Sequence, residues 1–190
     1  MKFSIGKSGR EEKLINGCKR NEPGAQREMY RLWAPKMLAI CFRYIKDRSE
    51  AESVMTGGFL KIFDKINQFS GEGSFEGWMR RIMVNESLSY LRQQKHAFMM
   101  VDEEEAGREI SYEEADQQLQ ADDLMAMIRL LPDGYRTVFN LYAIEGFSHK
   151  EIAEKLEISE STSKSQLSRA RNLLQQYIAK HDKIKQHQVI

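Results

Sequence analysis

Apolar positions in the first hundred residues recur at three- and four-residue steps, the spacing that closes one face of a helix. Over residues 24–46 the stripe is Ala25, Met29, Leu32, Trp33, Met37, Cys41, Tyr44 and Ile45, and Pro35 is expected to bend or restart that helix. A shorter helix over residues 11–20, with Leu14, Ile15 and Cys18 inward, precedes it across the turn signal Asn21-Glu22-Pro23-Gly24. A third stripe runs through Ala51, Met55, Phe59, Ile62, Ile66 and Phe69, and the spacing of Ser49 and Glu52 at its start predicts a capping box. Gly57 and Gly58 interrupt it. Each costs about 1 kcal/mol relative to alanine in an exposed helix, so the pair needs a tertiary reason or leaves a soft spot. The glycines and serines of FSGEGSF, residues 69–75, predict a loop, with Ser74 capping a fourth helix that carries Trp78, Ile82, Leu88 and Leu91 and ends near residues 92–96.

Periodicity is lost over residues 97–123 and returns with Leu124, Met127, Ile128 and Leu131, a short helix stopped by Pro132. Tyr135, Val138, Phe139 and Tyr142 mark another, ending at Gly146. The stretch SHKEIAEKLEISESTSKSQLSRAR then reads as a helical hairpin. Ser148 and Glu151 form a second capping box, Ile152, Ala153 and Leu156 turn inward, Glu157-Ile158-Ser159 makes a turn, and Ser159 caps the last helix. In that helix Leu167, Ala170 and Leu174 face inward, which leaves Thr162, Lys164, Ser165, Ser168, Arg169 and Arg171 towards solvent. A face of small and cationic residues can enter a major groove and supply donors to phosphates and base edges. Small Ala153 before the tight turn lets the two helices approach as in a helix-turn-helix.

Composition changes this picture through the placement of charge. Hydrophobic residues make up 41% and charged residues 30% of the 190, with three prolines, which suits a soluble all-α chain with room for two small domains. The formal net charge of +1 conceals a segregation: residues 1–101 hold 18 Lys and Arg against 11 Asp and Glu, residues 102–123 hold 1 against 10, and residues 124–190 hold 10 against 7. Two basic lobes are therefore joined by an acidic stretch dense enough in one sign to resist folding, which predicts a flexible linker. Cys18 and Cys41 form no ligand pattern with His96, His149, His181 or His187, so buried thiols are expected, with no metal site and no cofactor. The N-terminus lacks the apolar core of a signal peptide, and no run approaches a membrane span, so the expectation is a cytoplasmic protein without membrane insertion. No phosphate-cradling glycine loop, metal cluster or catalytic pairing around His149 or Asp133 suggests an enzyme such as a nuclease.

Several motifs carry a family resemblance. Glu151-Ile152-Ala153, then Thr162-Ser163-Lys164-Ser165 and Arg169-Ala170-Arg171, resemble the promoter-reading domain of bacterial RNA polymerase sigma factors of the extracytoplasmic-function (ECF) group. Upstream, YRLWAPKML, RYIKDRSEAESV, FSGEGSFEGWMRRI and NESLSYLR occur in the order of that group's second region. Together the likeness spans roughly residues 10–95 and 120–178. It implies an all-α fold with a sigma region 2 bundle over residues 10–96, an acidic linker over 97–123 and a sigma region 4 helix-turn-helix over 124–180.

The resemblance also implies a subunit that performs no covalent chemistry, binds core RNA polymerase at its clamp coiled coil and flap, and reads two elements of promoter DNA. An anti-sigma factor is a further expected partner. Glu50, Glu52, Ser53, Thr56, Gly57, Phe59, Leu60 and Phe63 would face the polymerase. Ser70, Gly71, Glu72, Gly73 and Ser74 would capture a base of the minus-ten element, with Trp78, Arg80, Arg81, Asn85 and Arg92 supporting the opened strand. Thr162, Lys164, Ser165, Gln166, Ser168, Arg169 and Arg171 would contact the minus-thirty-five element. The family's linker threads a channel later taken by RNA, a path that a polyanionic segment can follow. Response-regulator output domains carry a related helix pair, which makes a free-standing helix-turn-helix regulator the alternative; no receiver pattern of alternating strands and helices precedes it here.

This chain departs from the family's pattern at several positions. Ser53, Thr56, Gly57 and Gly58 stand where acidic and amide residues usually face the clamp, and Ser89 stands where an acidic residue often precedes Tyr-Leu-Arg. Glu157 replaces the turn glycine and is expected in a left-handed conformation. Ser163 replaces a usual valine, which removes part of the apolar packing beneath the recognition helix.

Overall fold

A computed structural model of the chain describes residues 5–94 and 120–187. Among the described residues the regular elements are all helical. They group into two compact units that divide at Tyr90, near the end of the fourth helix. His96 and the stretch expected as an acidic linker, as far as residue 119, lie outside the described residues.

The first unit is built from α1 (Ile5–Lys19), α2 (Pro23–Cys41), α3 (Arg48–Lys65) and α4 (Phe75–Gln93). α1 begins at Ile5, ahead of the stripe over residues 11–20, and the added residues carry no apolar repeat from which that start could be read. Asn21 takes the left-handed conformation at φ 57° and Pro23 is the first residue of α2, so the four-residue turn signal does break the two helices apart. α2 continues through Pro35 without restarting and stops at Cys41, earlier than residue 46. Tyr44 and Ile45 nonetheless stay buried, because their amides donate back to the Cys41 carbonyl at 3.0 and 2.9 Å and fold the exit onto the core.

The start of α3 corrects another expectation. The cap is Asp47, whose Oδ1 accepts from the Glu50 amide at 2.9 Å, while Ser49 lies inside the helix and forms no capping box. A carboxylate two residues earlier satisfies the free amides and complements the positive end of the helix dipole. Gly58 has a tertiary reason: a Cβ there would collide with the Met83 Sδ and lie 2.9 Å from its Cε, so the buried Met83 side chain occupies the space that a side chain at 58 would take. Gly57 has none, with open space where its Cβ would be.

The second unit holds α5 (Gln120–Leu130), α6 (Asp133–Phe139), a π-turn (Asn140–Ile144), α7 (His149–Leu156) and α8 (Glu160–His187). α5 starts at Gln120, four residues before the apolar repeat. Met127, Ile128, Leu131 and Tyr135 pack with Ala170 and Leu174 of α8 into one apolar cluster. Arg136, buried to 1% exposure, keeps its charge tolerable by donating to the Leu131 carbonyl at 3.1 Å and pairing with Asp133 at 2.9 Å.

The α7–α8 hairpin is closed by three local devices. Ser148 and Glu151 form the expected capping box, with the Ser148 amide donating to Glu151 Oε2 at 2.8 Å. Glu157 sits at φ 57°, ψ 40°, left-handed as expected, and the next amide, of Ile158, donates to Ala153 O at 3.1 Å. Ser159 Oγ accepts from the Thr162 amide at 3.0 Å and caps α8.

Two stability differences are expected. Gly57→Ala stabilises the chain by up to about 1 kcal/mol through helix propensity, whereas Gly58→Ala destabilises it by about 1 kcal/mol or more because buried Met83 must move. Glu157→Gly stabilises it by about 1 kcal/mol by relieving the left-handed backbone. Midpoints of urea unfolding on the full chain, read at constant slope, check all three.

Candidate nucleic-acid and polymerase surfaces

In the second unit α8 is two-sided. Leu167, Ala170 and Leu174 are buried, and Lys164, Ser165, Ser168, Arg169 and Arg171 are exposed, with Thr162 half-buried at the start. Gln166 is the exception among the residues expected at the minus-thirty-five element. It is only 6% exposed, on the same side as Leu167 and Ala170, and therefore belongs to the packed face. The surface cations are held in advance of any ligand. Lys164 pairs with Glu160 at 2.8 Å, and the hydrogen bond from Lys164 holds the Glu160 carboxyl below its ordinary range. Arg169 Nη1 donates to the Tyr135 hydroxyl at 3.3 Å, and the Arg171 guanidinium lies over the Tyr142 ring at 5.6 Å. Such contacts narrow the rotamers of long cationic side chains and lower the entropy lost on binding.

Tyr135, Tyr142 and His149 were not among the expected site residues, yet Tyr142 and His149 border this face and the buried Tyr135 supports it from beneath through its hydroxyl. Tyr135 and Tyr142 read as members of an apolar stripe, and nothing in the spacing of His149 marks it. Ser163 is fully buried, on the packed side of α8. Where a valine would pack through its methyl groups, the serine makes a polar contact instead, with His149 Nδ1 at 2.9 Å from Ser163 Oγ.

In the first unit the loop before α4 is shaped by its sequence. Gly71 and Gly73 take φ of 85° and 78°, Ser70 Oγ accepts from the Glu72 amide at 3.3 Å, and Ser74 Oγ caps α4 through the Gly77 amide at 3.2 Å. Ser70, Gly71, Glu72, Gly73 and Ser74 are all exposed. Aromatic rings clamp the base of the loop: Phe69 meets Phe75 at 5.1 Å and Trp78 at 5.7 Å, and Trp78 stacks on Phe75 at 5.7 Å with planes 21° apart. Trp78 is half-buried, so one function of its ring is to pack this clamp. Arg81, Asn85 and Arg92 are exposed at four- and seven-residue steps and share one face of α4, opposite buried Met79 and Met83; Arg80 is half-buried beside them.

On α3 the residues expected to face polymerase divide in two. Ser53, Thr56 and Leu60 follow one exposed face, with Leu60 at 66% exposure, beside Glu50 and half-buried Glu52, Gly57 and Phe63. Glu52 is paired with Arg48 at 2.8 Å, and the Thr56 hydroxyl donates to the Glu52 carbonyl at 2.8 Å. Phe59 does not belong to that surface. At 2% exposure it lies on the Met55–Ile62 stripe, against Tyr30 at 4.7 Å and Phe63 at 6.0 Å, and contributes to the core.

Known proteins resemble the chain over both units. Residues 29–97 match the family model of Sigma-70 region 2, and residues 121–174 that of Sigma-70, region 4. The ECF RNA polymerase sigma factor SigE of Mycolicibacterium smegmatis is 29% identical over 159 residues, which cover 81% of this chain and 62% of SigE. SigW of Bacillus subtilis, also named an ECF RNA polymerase sigma factor, is 28% identical over 180 residues, covering 88% of this chain and 96% of that protein. Among solved structures, the sigma factor RpoE in complex with the anti-sigma factor NepR, from Bartonella quintana, is similar at a TM-score of 0.47 and 22% identity, over 80% of this chain and 96% of that one. Two region matches in the family's order, together with relatives of that name aligned across most of the chain, place this protein in the sigma-70 family, in its extracytoplasmic-function group.

Proposed function

We propose that the chain is a transcription-initiation subunit that binds core RNA polymerase and directs it to promoters by reading a minus-ten and a minus-thirty-five element. The observation that carries this reading is the two-sided α8, whose buried seam turns Lys164, Ser165, Ser168, Arg169 and Arg171 outward at the start of a capped helix. Those side chains supply phosphate contacts and base-edge donors. Buried Gln166 is left out of the contact set. In the first unit, Ser70–Ser74 with Arg81, Asn85 and Arg92 form the proposed minus-ten surface, and Arg80 and Trp78 border it. Ser53, Thr56, Gly57, Leu60 and Phe63, with Glu50 and Glu52, form the proposed surface for the polymerase clamp.

The domain limits consistent with this function are residues 10–96, 97–123 and 124–180. The middle segment acts as a tether. Each element is bound weakly by one domain, and joint engagement depends on the effective concentration that tether and polymerase impose, so the free chain binds promoters poorly. The work is done in the cytoplasm, where the polymerase is, and involves no covalent step by this chain. An anti-sigma factor is the proposed inhibitor. A free-standing regulator of the response-regulator output type would instead bind its duplex site without polymerase.

Reconstituted transcription with core polymerase, followed by mapping of start sites, tests the reading; failure of the chain to bind core polymerase overturns it. Within it, Arg169→Ala costs about 1 to 3 kcal/mol of promoter binding and relaxes sequence preference at one position of the minus-thirty-five element. Competition between matched and scrambled elements measures both effects.

A further inference from the structure

His149, the first residue of α7, is held from two sides. Its Nδ1 lies 2.9 Å from the Oγ of Ser163 on α8, and its ring stacks on Tyr142 with centroids 4.7 Å apart and planes 25° apart. Ser163 is fully buried while His149 is half-buried, so the Nδ1 edge is the inner one and Nε2 lies on the opposite edge of the ring. A contact at one edge and a stack on one face together fix the ring's orientation. Its neighbours belong to the reading surface: Ser163 stands between Thr162 and Lys164 of α8, and Tyr142 also carries Arg171 over its ring.

A packing role alone does not require this pair. A buried hydroxyl is costlier to desolvate than an aliphatic side chain of similar volume, so a serine at that position needs a partner to be tolerated. The partner it has decides the chemistry of the other nitrogen. When the Ser163 hydroxyl donates to Nδ1, the imidazole proton resides on Nε2, and the outer edge becomes a hydrogen-bond donor. The opposite tautomer would present a lone pair outward, which a phosphate repels.

We propose that His149 donates through Nε2–H to a phosphate of the duplex, and that Ser163 is the positioning residue that sets its ring and tautomer. The proposal rests on the reading of α8 as the recognition helix and adds to it a backbone contact from α7. Phosphate contacts of this kind fix the register in which base-reading side chains meet the groove.

The test uses the full chain reconstituted with core RNA polymerase and promoter duplexes in which one phosphate at a time, around the minus-thirty-five element, is replaced by an uncharged methylphosphonate. One substitution should weaken the wild-type complex about tenfold, the size of one charge-assisted hydrogen bond, and should cost His149→Ala nothing further. Ser163→Val should behave as His149→Ala does although the imidazole is retained, and Ser163→Thr, which keeps the hydroxyl, should recover the wild-type profile. A His149→Ala profile that superimposes on wild type overturns the phosphate contact, and a wild-type profile in Ser163→Val overturns the positioning role. Thermal melts identify any variant that fails to fold, and the His149→Ala arm decides the contact without Ser163→Val. Equal binding of the wild-type complex to matched and scrambled minus-thirty-five elements would remove the recognition-helix reading itself, and this proposal with it.

Discussion

Burial of a narrow seam on α8 governs what its other side can do. Leu167, Ala170 and Leu174 enter the core of the second unit, and Ala170 and Leu174 pack against Met127, Ile128, Leu131 and Tyr135. Because successive residues are about 100° apart around a helix, that seam fixes the rotation to within one residue. Turned by one position towards its N-terminus, the seam would fall on Gln166, Arg169 and Leu173, and Arg169 would point into an apolar cluster. The observed rotation keeps Arg169 outside, and it is apolar burial, the strongest force available here, that enforces it.

Polar contacts then refine what the seam permits. The capping box of α7, the left-handed Glu157 and the Ser159 cap set where each helix of the hairpin starts and stops. Tyr135 and Tyr142 engage Arg169 and Arg171 before any DNA arrives, and Ser163 engages His149. Individually these interactions are weak, but each removes freedom from a side chain whose usefulness depends on its direction. Arg136 differs in kind: its buried charge is matched by Asp133 and a carbonyl, an arrangement that ties the start of α6 to the end of α5.

The first unit obeys the same logic with different parts. On α4, buried Met79 and Met83 oppose exposed Arg81, Asn85 and Arg92, while the rings of Phe69, Phe75 and Trp78 brace the loop that precedes the helix. Gly58 leaves the space that the buried Met83 side chain occupies, so its cost in helix propensity is offset by interhelical contact. Gly57 carries that cost without a contact, at the edge of the surface proposed for polymerase.

Helical class, the turn at Asn21-Glu22-Pro23, the Ser148–Glu151 box, the Ser159 cap, the strained Glu157 and the outward face of α8 were all legible in the chain. They depend on neighbours within a few residues or on a single helical period. What sequence alone missed depends on residues far apart. The cap falls on Asp47 and not on Ser49 two positions later: either side chain can accept from a free amide, and the path of the backbone selects the first. Phe59 was on the apolar stripe and only the family resemblance set it towards polymerase, whereas Gln166 sits at the border of its stripe, where packing from another helix decides which side is inside. The reason for Gly58 lies 25 residues away at Met83, and the partner of His149 lies 14 residues away across a turn. Local pattern can state which side chains a helix offers; only the meeting of helices determines which are taken into the core and which remain for a partner.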